Sequence, residues 1–243
     1  MSEQPYLIFD AGGVLIFPDF ARLAEIARKA GIEASAQTVL EAHCRYYRDF
    51  DEQVAQTHQH PKIHYFADLF GYVTEDAEKA RLAAHLTLQE DQRKHIWTDS
   101  HPWVGEALQA LKAQGYQMAV ISNSDGRVEE ILADVGLRAY FETVTDSFVV
   151  GAEKPDPRIF EIALKRLGWR ADEVIYIGDI FYIDVWGANQ AGLGAVHIDQ
   201  LGLYSGWAGA HIPGVRELPG WLAQFDGQVP SEILFPARDF EIN

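Results

Sequence analysis

Four short apolar runs, LIFD, QMAVISN, EVIYIGD and GAVHID, set the strongest limit on what this chain can fold into. Each is long enough for one buried strand, and helical patterns occupy most of the intervals between the last three. Strand alternating with helix predicts a parallel sheet covered on both faces. Residues 102–115 (PWVGEALQALKAQG) start on proline, keep one apolar face and stop on glycine, the signature of a helix leading into a strand. The pattern recurs in RVEEILADVG, introduced by Asp125, and in PRIFEIALKRL from Pro157 to Leu167. An apolar stretch from Thr143 to Val150 lies between those two helices.

From about residue 20 to 97 the rhythm breaks. FARLAEIARKAG reads as helix, a polar and aromatic segment follows, and no buried strand is evident, so this part is expected to be a helical insertion after the first strand. IPGVRELPGWLAQF reads as a last short helix, DGQVPSEILFPARDFEIN as an extended tail, and the glycine-rich stretch Leu201–Ala210, with Tyr204 and Trp207, as a loop.

Function classes narrow on charge. With 36 acids against 20 basic residues the formal charge is −16, and no Lys/Arg cluster overrides it, so neither nucleic acid nor anionic membrane is an expected partner. The single cysteine, Cys44, excludes an internal disulfide framework and fits a reducing compartment. The polar start MSEQP lacks the features of a signal peptide, and the expected location is the cytoplasm.

Polar residues concentrate where the predicted strands end. Asp10 closes the first, Ser122 and Asn123 the second, Lys154 follows in GAEKPDP, and Asp179 closes VIYIG with Asp184 five residues on. Ligands of open α/β sheets bind outside the carboxyl ends of the strands, so these segments should share one crevice. A carboxylate there, flanked by glycines, suits nucleophilic attack on an electrophilic centre, and Lys154 can neutralise a bound anion. Asp179 and Asp184 would repel Asp10 in an empty site and be stabilised by a hard cation, for which Mg2+ fits best because it accepts few protein carboxylates. His58, His60 and His64 raise the idea of zinc, but Pro61 interrupts the spacing and no further ligand completes a pattern, so they read as part of the insertion's surface. Tyr46, Tyr47, Phe50, Tyr65 and Phe66 read as its core.

FDAGGVL, VISNS, EKPDPRIF and IGDIFYIDVWGANQAG together resemble the four ordered motifs of the haloacid dehalogenase superfamily of hydrolases, most of whose members are phosphatases. The resemblance implies an α/β fold: a Rossmann-like three-layer core with a central parallel sheet, built from residues 1–18 and 98–225, with a smaller all-helical cap at 19–97 and a tail at 226–243. It implies that Asp10 is the nucleophile that forms an aspartyl-phosphate, that Ser122 bonds the phosphoryl group and that Lys154 pairs with it. Gly13 and Asn123 would help to bind substrate. Mg2+ would be held by Asp10, Asp179 and the backbone carbonyl of Gly12, with Asp184 as a further ligand or outer acid, and the substrate would be a small phosphorylated metabolite.

One position departs from that pattern. Most phosphatases of the family have an aspartate where this chain has Gly12, and that acid protonates the leaving oxygen and then activates water. General acid–base help is worth ~10²- to 10⁴-fold in rate. Its loss leaves three expectations: a substitute such as Asp125, Asp19 or a cap histidine, a substrate whose leaving group needs little protonation, or a protein that binds phosphate without much turnover. A 2-haloacid dehalogenase, whose halide leaving group needs no proton, is the further alternative; the paired acids of IGDIFYID and the small Gly12 argue against it.

Overall fold

The computed structural model describes residues 4–59, 62–225 and 229–236. Two units emerge from the chain's contacts: one holds the first residues as far as Ile16 and resumes at Ser100, and the other is Phe17–Asp99.

In chain order the strands are β1 (Tyr6–Phe9), β2 (Phe17–Pro18), β3 (Trp97–Asp99), β4 (Met118–Ser122), β5 (Val144–Asp146), β6 (Val174–Gly178), β7 (Gly194–Ile198) and β8 (Ala210–Ile212). Six of them form one sheet in the order β5-β4-β1-β6-β7-β8, and every neighbouring pair is parallel. All residues of β4, β6 and β7 are buried, as a sheet covered on both faces requires. β1 lies centrally, with Phe9 opposite Val120 on one side and Ile177 on the other, so the residue after it emerges between the ends of β4 and β6.

The covering helices follow local chemistry. The helix Pro157–Leu167 starts with proline at its first position, is capped by Asp156, which accepts from Arg158 N at 2.9 Å, and ends on Gly168 in the left-handed conformation. Val128–Asp134 begins later than Asp125 would place it. Its leading amides turn instead to a distant acid: Asp146 at the end of β5 accepts from Gly126 N at 3.0 Å and Val128 N at 3.4 Å. The stretch Thr143–Val150 is a three-residue strand followed by the one-turn helix Ser147–Val150.

β8 was not evident in the sequence, because three residues are too few to show a period. Within the expected extended tail, Ser231–Leu234 forms a helical turn instead; Leu234 is buried, its carbonyl accepts from Asn189 Nδ2 at 2.9 Å, and its side chain packs on Gly194. The remainder of that tail lies outside the described residues.

The unit Phe17–Asp99 is helical, with β2 and β3 pairing antiparallel at its two ends. Helices Phe20–Lys29, Ala36–Thr57 and Ala77–Arg93 enclose a core of Leu23, Ile26, Val39, Leu69, Phe70 and Ile96. Arg22 joins the first helix to the last through Glu90 at 3.1 Å and Lys94 O at 2.9 Å. Tyr46, Tyr47 and Phe50 are buried, and His43 sits among Phe20, Tyr47, Tyr65 and Trp97 with Nδ1 2.9 Å from Tyr65 OH. Burial holds the His43 pKa down at about 3. Among the described residues, no helix is long and apolar enough to cross a membrane.

Candidate active site

Asp10 follows β1, and its placement is fixed by two donors to one oxygen: Ala11 N at 2.7 Å and Lys154 Nζ at 2.9 Å, both to Oδ1. The turn after it closes through Gly13 N to Ile16 O and Leu15 N to Ala11 O, each 2.9 Å. Its positive φ falls on Gly13 (73°) and not on Gly12. Gly13 is required twice over, because a Cβ there would lie 2.0 Å from Asp179 Oδ2. Its N–H and carbonyl are engaged within the protein, the latter by Gln200 Nε2 at 3.0 Å, so its part in the site is to admit Asp179 rather than to present a hydrogen bond to a ligand.

Lys154 is 2% exposed, and its ammonium meets three acceptors: Asp10 Oδ1 at 2.9 Å, Asp184 Oδ1 at 2.7 Å and the Tyr176 hydroxyl at 2.8 Å. Burial alone would lower its pKa, but Asp10 and Asp184 outweigh that and raise it. Its backbone is clamped from 31 residues away. Asn123 Nδ2 donates to Lys154 O at 2.8 Å, and Asn123 Oδ1 accepts from Lys154 N at 2.7 Å. The Asn123 side chain thereby positions the lysine. Ser122 ends β4 opposite Asp146, and the loop beyond it is held by Ser147, whose Oγ accepts from Ser124 N at 3.0 Å and donates to Ser124 O at 3.1 Å.

Asp184 is completely buried and fully engaged. Oδ1 faces Lys154 and, at 3.3 Å, Tyr176 OH; Oδ2 accepts from Asp179 N at 3.1 Å and Ile180 N at 3.0 Å. Gly178 makes this possible, since a Cβ there would come within 2.2 Å of Asp184 Cβ. Asp184 thus organises the loop after β6 and orients Lys154. Asp179 differs: its Oδ1 is buried with no hydrogen-bond partner.

Ligand atoms of Asp10, Asp179 and Asp184 lie within 4.8 Å of one another. The cluster is short of positive charge. Burial, with repulsion from Asp184 outweighed only in part by Lys154, raises Asp10 from 3.8 to about 6. Burial first, then Asp184 and Asp10, hold Asp179 well above the usual carboxylate range. An orphaned carboxylate oxygen beside two further acids is the donor set of a hard cation, and the residues fit Mg2+.

Sequence reasoning missed Tyr176, which lies within an apolar run and is completely buried, with its hydroxyl donating to Ile121 O at 3.1 Å. It also missed His197, whose Nε2 is 3.0 Å from Asp179 O. A tyrosine or histidine inside a buried strand needs a polar partner, and that need was the available signal. Of the substitutes considered for the acid missing at Gly12, Asp19 caps a helix by accepting from Arg22 N at 2.9 Å, and Asp125 pairs with Arg127. His58 and His64 join no group of three or more metal-ligating side chains among the described residues, and His60 lies outside them.

The sequence profile of the haloacid dehalogenase-like hydrolases matches residues 6–192. The chain belongs to this family. It is 32% identical over 197 residues to the glyceraldehyde 3-phosphate phosphatase of Methanopyrus kandleri, which covers 79% of this chain and 82% of that enzyme. Haloacid dehalogenase-like hydrolase domain-containing protein 3 of Mus musculus is 40% identical over 86 residues, 35% of this chain, and the match spans only about a third (34%) of the mouse protein's length. Among solved structures, a putative hydrolase of the family from Bacillus subtilis, bound to magnesium, superposes with a TM-score of 0.59 at 18% identity, covering 91% of this chain and all (100%) of that one. This hydrolase of the family therefore carries the acidic cluster Asp10, Asp179 and Asp184 at the carboxyl edge of its parallel sheet, with a helical insertion between the first strand and the rest.

Proposed function

We propose that the protein is a Mg2+-dependent phosphatase of small phosphorylated metabolites that works through an aspartyl-phosphate on Asp10. The observation that carries this reading is the buried, unpartnered Oδ1 of Asp179, in one cluster with Asp10 and Asp184 and beside the ammonium of Lys154. The phosphatase relatives support the substrate class.

Asp10, Asp179 and the Gly12 carbonyl would hold the ion, and Asp184 would act chiefly through the backbone and Lys154. Bound Mg2+ would supply neutralisation of the phosphoryl oxygens. Asp10 attacks phosphorus, a new P–O bond forms to its carboxylate, and the bond to the leaving oxygen breaks. Lys154, oriented by Asp184, Tyr176 and the Asn123 clamp, neutralises charge on the phosphoryl group, while Ser122 bonds it. Water then attacks the acyl phosphate, releasing inorganic phosphate and regenerating the Asp10 carboxylate.

Gly12 contributes no proton to the leaving oxygen, so turnover should favour acyl and aryl phosphates, which depart with little protonation, over alkyl esters. The test is phosphate release from a panel of acyl, aryl and alkyl phosphates, with Mg2+ or EDTA. Turnover that requires Mg2+ and disappears in Asp10→Asn supports the reading, and turnover without metal overturns it. Binding of phosphate with no hydrolysis of any panel member would assign a binding role instead.

A further inference from the structure

The segment from His197 to His211 takes no part in the chemistry above, yet it holds both loops that meet at the acidic cluster. Asp179 is gripped at each end of its backbone: its N–H donates to Asp184 Oδ2 at 3.1 Å, and its carbonyl lies 3.0 Å from His197 Nε2. A carbonyl only accepts, so Nε2 carries the proton and Nδ1 is left as an acceptor. His211 Nδ1 lies 3.0 Å from it, and the other ring nitrogen of His211, Nε2, lies 3.2 Å from Ala208 O. The Asp179 carbonyl thereby sets the tautomer of His197, and the His211 ring packs edge-on against the His197 ring at 5.1 Å between centroids.

Aromatic rings fix the imidazole in place. Tyr204 packs on His197 edge-on at 4.3 Å between centroids and Phe181 at 5.6 Å, while Trp207 closes on Phe181 at 4.8 Å and on Tyr204 at 5.3 Å. Asp199 fastens the loop that supplies these rings, accepting from Leu203 N at 2.8 Å and Tyr204 N at 3.0 Å. The neighbouring Gln200 holds the carbonyl of Gly13 at 3.0 Å, the residue whose missing Cβ makes room for the Asp179 carboxylate.

We propose that His197 is a positioning residue for the metal site: its Nε2–H fixes the main chain of Asp179 so that Oδ1 of this half-buried residue stays buried and unpartnered beside Asp10. The inference rests on reading the acidic cluster as a Mg2+ site. Keeping an unpartnered carboxylate oxygen out of water is costly, and a loop free to rotate would turn Oδ1 outward to be hydrated. The bond from His197 and the rings of Phe181, Tyr204 and Trp207 oppose that rotation. The stretch 201–210, whose part in the molecule the sequence left open, thereby acquires one: it is the outer wall of this brace.

The test is calorimetric titration of EDTA-stripped protein with Mg2+ alone, with no substrate present. His197→Phe keeps a ring among Tyr204 and Phe181 but has no donor, whereas His197→Gln keeps an amide donor in reach of the carbonyl. His197→Phe is expected to bind Mg2+ about 10–100-fold more weakly than wild type, the usual cost of removing an outer partner of a metal ligand, and His197→Gln is expected to recover part of that loss. Equal losses in the two variants would overturn the hydrogen-bond role. So would a His197→Phe affinity within about two-fold of wild type, well short of that usual cost. Wild type that binds no Mg2+ would overturn the metal reading itself, an outcome distinct from the other two. If His197→Phe does not fold, the partly exposed His211→Phe decides: weaker Mg2+ binding supports the brace, and unchanged binding overturns it.

Discussion

Replacing Asp184 by asparagine sets two views of the acidic cluster against each other. If the carboxylates chiefly repel one another in metal-free protein, removing one charge should stabilise it. The hydrogen bonds argue for the opposite sign. Asp184 accepts from Lys154 on one oxygen and from two backbone amides on the other, and it is fully buried. Asparagine has one acceptor and one donor in the same space, so either orientation of its amide turns NH2 groups against an ammonium or against backbone N–H groups. Lys154 would retain only Asp10 as counter-charge. Removing one partner of a buried ion pair costs ~3–5 kcal/mol, and a stranded buried donor ~1–3 kcal/mol. Relief of repulsion offsets part of this, but only part, because Asp10 with a pKa of about 6 and Asp179 with a raised one already take up protons. The net expectation is a loss of about 2–4 kcal/mol at pH near 6 in EDTA, within the range of those two costs. Urea denaturation followed by the fluorescence of the six tryptophans reads it directly. A variant as stable as wild type, or more stable, would refute the assignment of Asp184 as the structural anchor of the site.

Asp179→Asn should act in the opposite direction: its Oδ1 has no partner to lose, so metal-free protein gains about 1 kcal/mol in urea denaturation while Mg2+ binding by calorimetry falls away. Gly12→Asp places an acid where the backbone has no positive φ to oppose a side chain, and kcat for alkyl phosphates should rise by ~10²- to 10⁴-fold while acyl phosphates gain much less. Asp10 also predicts a pH effect. Its pKa is raised from 3.8 to about 6, so the stability contributed by its protonated form is complete below pH 3.8 and lost as pH rises through about 6. In EDTA, wild type should therefore lose stability relative to Asp10→Asn between those limits, and a constant difference between the two proteins would contradict the raised pKa.

Much of the frame was legible because it depends on local signals. The helix Pro157–Leu167 has its proline, its Asp156 cap and its terminating Gly168 within one short stretch, and its bounds follow from them. The strand-end rule placed Asp10, Lys154, Asp179 and Asp184 near one another from their position after apolar runs alone, and contacts of 2.7–2.9 Å now join the lysine to two of them. What escaped depends on partners distant in sequence. Nothing near Asn123 reveals that its amide closes on a backbone 31 residues away, and nothing near Gly126 points to Asp146 as the acceptor for its N–H. Tyr176 and His197 count as apolar or neutral in a periodicity reading, yet their polar atoms hold Lys154 and Asp179. β8 and the loop before it are shaped by tertiary packing of Tyr204, Trp207 and His211, which no period of 2 or 3.6 encodes.

The central claim concerns a covalent bond, and it can be observed. Wild-type protein with Mg2+ and an acyl phosphate, quenched in acid within the first turnovers and digested, should yield a peptide containing Asp10 that carries one phosphoryl group by mass spectrometry. The same treatment of Asp10→Asn, or of wild type in EDTA, should yield none. Phosphate release by wild type with no phosphorylated Asp10 peptide, or a phosphoryl group found on another residue, would contradict the account.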